Sequence, residues 1–221
     1  LVLRNPANYK SGFWTSFKTD RGTYYTAATE PIELMTVESK DEKDGLLRVV
    51  LNHTPEGENQ ELLQFKHTLW SKNKPYLLWR FSTKNVSKSK VKDFRVYALM
   101  DFDVGGPTSY KDDIAQYDAA NHVMVVFDDN PVSVAMTSKT EPHGWGIKSP
   151  INLKITQALR DLPGNTEDGP ADVAVGLQWN LGHLPPDESR DIDLLLSIGS
   201  SHEEAIELIP DGLELFDKKL R

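Results

Sequence analysis

Along most of the chain, apolar and polar positions alternate with period two, the spacing of a strand with one buried face. The pattern is clearest at Val173, Val175, Leu177, Trp179 and Leu181. Pro185-Pro186-Asp187 then fixes the backbone in a polar turn. Arg190 to Ile198 resumes as an apolar strand, so the sequence predicts two paired strands here. Ser201-His202-Glu203-Glu204 has capping-box spacing ahead of an apolar run, which predicts a short exit helix.

The same reading extends upstream. Short strands are expected around Gly12 and Gly22, and a hairpin from Pro31–Ser39 to Leu46–Asn52 across the charged turn Asp41–Gly45. A second hairpin pairs Glu61–Ser71 with Tyr76–Thr83, with Leu63, Phe65, His67 and Leu69 on one face. Val91 to Val104 is a long strand, and Gly105 to Asp113 a loop. Ala115–Tyr117, Val123–Phe127 and Val132–Met136 follow as short strands. Ile155, Leu159 and Leu162 recur at helical spacing, so a short helix is expected within Ile151–Leu162. Pro163 to Pro170 is rich in breakers and reads as a loop. Two helices, Glu203–Ile209 and Leu213–Leu220, close the chain, with Pro210 between them and Asp211 as the second N-cap. So many strands joined by tight turns cannot remain one flat sheet, because both faces would be exposed. The predicted class is all-β: a large antiparallel β-sandwich with a few short helices, in one domain spanning residues 1–221.

Composition narrows the function. The 221 residues carry 25 Lys and Arg against 33 Asp and Glu, a formal net charge of −8. That balance argues against nucleic acid and against anionic membranes as partners. No apolar run approaches the roughly 20 residues that span a bilayer, and no signal peptide is visible, so a soluble chain is expected. The absence of cysteine removes disulfides, thiolate metal sites and cysteine nucleophiles. It fits a cytosolic protein without excluding secretion, and localisation stays undetermined. The sequence begins at Leu1, as a processed protein or an excised domain would.

Specific residues carry a family resemblance. The run from Tyr117-Asp118 through Val123–Phe127 and Asp128-Asp129-Asn130-Pro131 to Met136 is similar to a hairpin in the β-supersandwich domain of bacterial and archaeal glucoamylases and glucodextranases. There an edge strand ends in Tyr-Asp, and two strands flank an acidic turn. Gly144-Trp145-Gly146-Ile147, Gly176–Gly182, the turn Pro185–Ser189 and the strand ending Ile198-Gly199-Ser200-Ser201 resemble the following steps. The order matches over about Phe94 to Ile209, and the N-terminal half matches in style only. The resemblance implies the galactose-mutarotase-like supersandwich fold, in a chain excised from or related to a larger carbohydrate-active enzyme. In those glucoamylases the catalytic carboxylates lie in a following helical barrel, so no barrel-type active site transfers to these residues.

Three constellations could carry chemistry. Asp101, Asp103, Asp112 and Asp113, with Asp118, are acidic residues around the end of one strand. Residues i and i+2 share a strand face, which places Asp101 and Asp103 on one side. Such loop carboxylates suit a hard cation such as calcium, although a solvated strand-end turn looks the same in sequence. A glycosidase acid/base pair would need two of them across a sugar-sized cleft. Among the aromatics, Trp79 and Trp179 read as core. Trp145, with His143 beside it, and Trp14 sit in Gly-rich polar contexts and are the candidate sugar platform, with Tyr110 as a further candidate. No histidine pair has zinc spacing, and His67, on an apolar strand face, reads as a hydrogen-bonded core residue. No nucleophile elbow, P-loop or dinucleotide fingerprint occurs.

The expectation is therefore a non-catalytic carbohydrate-associated module that binds glycan weakly or braces a neighbouring domain or subunit, with no catalytic residues and no cofactor other than calcium. The alternatives are a free-standing sugar epimerase or glycoside-cleaving enzyme with its site on a concave sheet face, and a structural, oligomer-forming protein. Clustered His, Arg and carboxylates on the concave face would mark the enzyme. An aromatic strip would mark glycan binding, and an apolar patch would mark assembly.

Overall fold

The computed structural model describes residues 11–25, 35–106, 109–153 and 161–220. The described chain forms β1 (Gly12–Lys18), β2 (Thr23–Tyr25), β3 (Met35–Lys43), β4 (Leu46–His53), β5 (Leu63–Trp70), β6 (Tyr76–Asn85) and β7 (Val91–Asp101). It continues through β8 (Asp113–Asp118), β9 (Val123–Phe127), β10 (Ser133–Ser138), β11 (Gly144–Lys148), β12 (Glu167–Ala171), β13 (Ala174–Leu184) and β14 (Ser189–Gly199). Two helices follow, α1 (His202–Glu207) and α2 (Ile209–Lys219). The helix expected within Ile151–Leu162 falls largely on residues outside the described set.

Two antiparallel sheets pack face to face. One has five strands in the order β11-β13-β7-β1-β2, the other nine in the order β12-β8-β9-β10-β14-β6-β5-β4-β3. The period-two apolar positions of both sheets meet between them. Phe94, Val96, Ala98 and Met100 of β7 and Val175, Leu177 and Trp179 of β13 oppose Phe81, Val126, Met136, Leu194 and Leu196 of the larger sheet. The all-β sandwich expected from the sequence is the observed fold.

Three local expectations are corrected. β13 and β14 are not partners: β13 pairs with β7 and β11, and β14 with β6 and β10. The Pro185–Asp187 turn carries the chain from one sheet to the other, so the two apolar faces meet across the core instead of sharing a ladder. Asn85 braces this crossing from the side, donating from Nδ2 to the carbonyls of Leu184 and Ser89 at 2.8 Å each. The Pro163–Pro170 segment is not wholly a loop, because Glu167–Ala171 forms β12 against β8. β12 is an edge strand, the place in a sheet where Gly169 and Pro170 interrupt least pairing. Pro210 does not separate the two helices. It lies in the first turn of α2, where its missing N–H is not needed, and Leu208 takes the cap position in place of Asp211.

The first helix starts as predicted, with the Ser201 hydroxyl accepting from the Glu204 amide. Both helices cover the outer face of the larger sheet. Ala205, Ile209, Phe216 and Leu220 pack on Tyr76, Leu78, Val125, Ala135 and Leu195. Gly212 lets α2 come close: a β-carbon there would meet Leu195 at 2.7 Å. Arg80 forks onto Asp193 with two 2.7 Å bonds, and its third nitrogen donates to the Leu220 carbonyl. The terminal helix is a brace on the sandwich.

At the other side, the larger sheet ends in a β3–β4 hairpin. Its turn is tighter than the charged Asp41–Gly45 stretch suggested: only Asp44 and Gly45 turn, both at positive φ, the geometry Asp-Gly favours.

Candidate functional site

The four residues expected to form a sugar platform do not converge. Trp145 pairs across the sheet with Leu177, and Leu177 with Ala98, both core residues, so its ring points between the sheets. It stacks on Tyr117 of the opposite sheet, with centroids 4.5 Å apart and planes at 26°. Trp14 pairs with Tyr97, and Tyr97 with Gln178, on the other face of the same sheet, where it packs against Tyr97, Leu99, Leu153 and Ala174. Each indole Nε1 is buried without a hydrogen-bond partner. His143 is exposed just ahead of β11, and Tyr110 is half-buried in the β7–β8 loop with the Lys111 ammonium 5.5 Å from its ring centre. Trp79 and Trp179 are core, as expected.

His67 is a half-buried, hydrogen-bonded histidine beside the core. Its Nδ1 accepts a 3.1 Å bond from the Trp79 indole, and Phe13 and Phe81 lie against its ring. Burial lowers its pKa to about 4, so it is neutral at pH 7. The folded protein then binds fewer protons than the unfolded chain between about pH 6.5 and 4, and stability falls as pH drops through that window. The contribution is about 3 kcal/mol at the acid end. His67→Gln keeps an acceptor for Trp79 and removes the titration. Urea midpoints at several pH values are therefore expected to fall less steeply in the variant than in the parent. Identical slopes would rule out His67 as a source of acid sensitivity.

The acidic constellation is assembled in part. Asp101 and Asp103 do share a side, and the structure adds Asp172. Carboxylate oxygens of the three lie within 4.8 Å of one another, and among the described residues this is the one His/Asp/Glu group with metal-ligand spacing. The reason is register. Asp101 ends β7 opposite Ala174, the first residue of β13, so Asp103 and Asp172 both lie just beyond the same end of the ladder. Burial raises the pKa of Asp103, and burial followed by the Asp103 charge raises that of Asp172.

Asp113 begins β8 and is 1% exposed, with Oδ1 lacking a hydrogen-bond partner. Burial, then the charges of Asp128, Asp103 and Asp112, push its pKa up to about 8. Asp112 is instead exposed, accepting from the Ser109 hydroxyl at 3.2 Å. Asp118 caps its own turn, accepting from Ala120 and Asn121, and is structural. Asp128 is also tied up. Burial opposes its ionisation, but bonds from Ser109 and Asn130 hold its pKa below the usual carboxylate range. The Asp101–Asp103–Asp172 oxygens are closer together than the roughly 5–10 Å that separates glycosidase carboxyls, and Asp101 is only 4% exposed. The geometry suits a small cation better than a sugar.

No protein-family model matches the chain, and no curated protein matches it. Solved structures do. A human-microbiome protein assigned as a kojibiose phosphorylase matches with TM-score 0.51 at 9% identity, covering 95% of this chain and 26% of that one. A heparinase III matches with TM-score 0.44 at 7% identity, over 86% of this chain and 24% of its own. A Salmonella typhimurium protein assigned as a mutarotase matches with TM-score 0.38 at 9% identity, over 89% of this chain and 82% of its own. The chain thus spans about a quarter of the first two proteins. Over 95% of its length it shares its fold, a large antiparallel β-sandwich, with the matched quarter of the kojibiose phosphorylase.

Proposed function

We propose that this chain is a non-catalytic β-supersandwich module of the carbohydrate-enzyme kind, and that it braces a neighbouring domain or subunit rather than displaying a sugar platform. The observation that carries this reading is the β3–β4 end of the larger sheet. β3 is its edge strand, and among the described residues every residue of β4 from Leu46 to Asn52 is only half-buried. Leu47, Val49 and Leu51 stand opposite Leu69, His67 and Phe65, so they continue the apolar inner face. On β3 they are flanked by Val37, which is 61% exposed, and by Lys40 and Glu42. An apolar strip with a charged rim is the pattern of a contact surface. The tryptophans that would serve a glycan are packed in or against the sheets instead. A fold that occupies 26% of a kojibiose phosphorylase chain supports a role as one part of a larger assembly.

The test has two arms. A glycan array and polarimetry with glucose and galactose are expected to show neither binding nor mutarotation. Reproducible glycan binding that Trp145→Ala or Trp14→Ala abolishes would replace bracing with a carbohydrate-binding role. In the second arm, the apolar dye anilinonaphthalene sulfonate is expected to bind the native chain. The Val49→Glu variant should lose most of that binding with little change in Tm, because the side chain is half-exposed. Unchanged dye binding in a folded Val49→Glu variant would remove the β3–β4 end as the contact surface.

A further inference from the structure

We propose that the partner braced by the β3–β4 end is a second copy of this chain, seated on the same apolar strip about a two-fold axis; this rests on the bracing role proposed above. The first support is a bulge. Val37 stands opposite Leu51 and Ser39 opposite Val50, so Glu38 is an extra residue in β3. Beyond it, Lys40 and Glu42 stand opposite Val49 and Leu47, on the inner apolar face. Without the extra residue, alternation from Val37 would put Ser39, Asp41 and Lys43 there instead. The bulge and the two inward charges also guard the open edge of β3 against strand addition, which leaves the face as the surface for a partner.

The second support is that these charges complement their own copy. Consider a two-fold axis in the contact plane, perpendicular to the strands, between the Lys40–Val49 row and the Glu42–Leu47 row. It sets Lys40 of each copy over Glu42 of the other, and Val49 over Leu47, so each contact occurs twice. Neither Lys40 nor Glu42 has an ion-pair partner among the described residues. On the opposite face of β3 the need is met within the chain, where Asp41 pairs with Arg48 across the strands at 3.7 Å. Val37, 61% exposed, extends the apolar strip beside Leu51. Two strands make a narrow strip, at the low end of specific interfaces, so the dimer is expected to be weak, with Kd on the order of 100 µM.

The measurement is sedimentation equilibrium at concentrations from about 10 µM to about 1 mM, bracketing that Kd. A reversible monomer–dimer equilibrium is expected. Lys40→Glu and Glu42→Lys each place like charges across both symmetric contacts, and each should raise the dimer Kd about tenfold. Two arms should restore association. The double variant Lys40→Glu/Glu42→Lys should dimerise as the parent does. An equimolar mixture of the two single variants should form a mixed dimer, because one carries only negative and the other only positive charge at the two positions. The proposal is overturned if the parent stays monomeric throughout. It is also overturned if the single variants dimerise with the parent's Kd, because the contact would then lie elsewhere. A monomeric parent whose dye binding is still lost in Val49→Glu would overturn the second copy alone and keep the strip as the seat of a different partner. Unchanged dye binding in Val49→Glu would instead strike the bracing role on which the proposal rests.

Discussion

Trp179→Ala is expected to destabilise the protein by about 3–5 kcal/mol. The indole is completely buried, pairs through β13 with Val96 and sits near Phe13 between the two sheets. Truncation removes its apolar contacts and leaves a cavity that two hydrogen-bonded sheets cannot close by collapsing. It also strands the Thr140 carbonyl, which accepts from the indole at 2.9 Å. Urea unfolding followed by far-UV circular dichroism should show a lower midpoint with little change in slope. The loss corresponds to a Tm drop of about 10 °C for a chain of this size. Trp179→Phe keeps part of the volume and loses the hydrogen bond, so it should fall between parent and alanine variant. An alanine variant with a midpoint within error of the parent would mean that the sheets do repack, contrary to this account of the core.

That core was legible because its signal is local. Period-two alternation in Val175, Leu177 and Trp179 is a property of consecutive residues and survives without knowledge of partners. What was not legible depends on which strand lies next to which. The Pro185–Asp187 turn looks like a hairpin turn whether the strands that follow pair with each other or cross between sheets. Trp145 stands between Gly144 and Gly146, which have no side chains to reveal a buried face. Only its partner Leu177 shows that the ring turns inward. Asp172 was missed for the same reason. It lies about 70 residues from Asp103, and the pairing of β7 with β13 brings the two chain segments to the same end of the sheet. The i, i+2 rule was enough for Asp101 and Asp103, a local relation. β12 was hidden by Gly169 and Pro170, residues that argue against a strand except at an edge.

Phe216→Ala is expected to cost about 3–5 kcal/mol, and to act first on the attachment of α2. Phe216 is the fully buried anchor of the cluster between the helices and the outer face of the larger sheet. The other contacts of α2 are smaller: Ile209 and Leu220 at its ends, half-buried Leu213 and Leu215, Gly212 against Leu195, Lys219 over the Trp70 ring, the Arg80 bond to the Leu220 carbonyl, and the exposed Lys139–Asp217 pair. The exposed pair contributes at most about 1 kcal/mol. The sheet beneath keeps its own ladder on β6 and β14 and the Arg80–Asp193 fork, none of which needs the ring. The helix is therefore expected to open as a local unit ahead of global unfolding. Hydrogen exchange should show residues 209–219 losing protection in Phe216→Ala, while amides of β7 and β13, in the opposite sheet, keep theirs. Phe216→Leu should restore much of the protection by refilling the site. If exchange in β7 and β13 accelerates as much as in α2, the helix and the two sheets form one cooperative unit, and bracing by α2 extends to the whole sandwich.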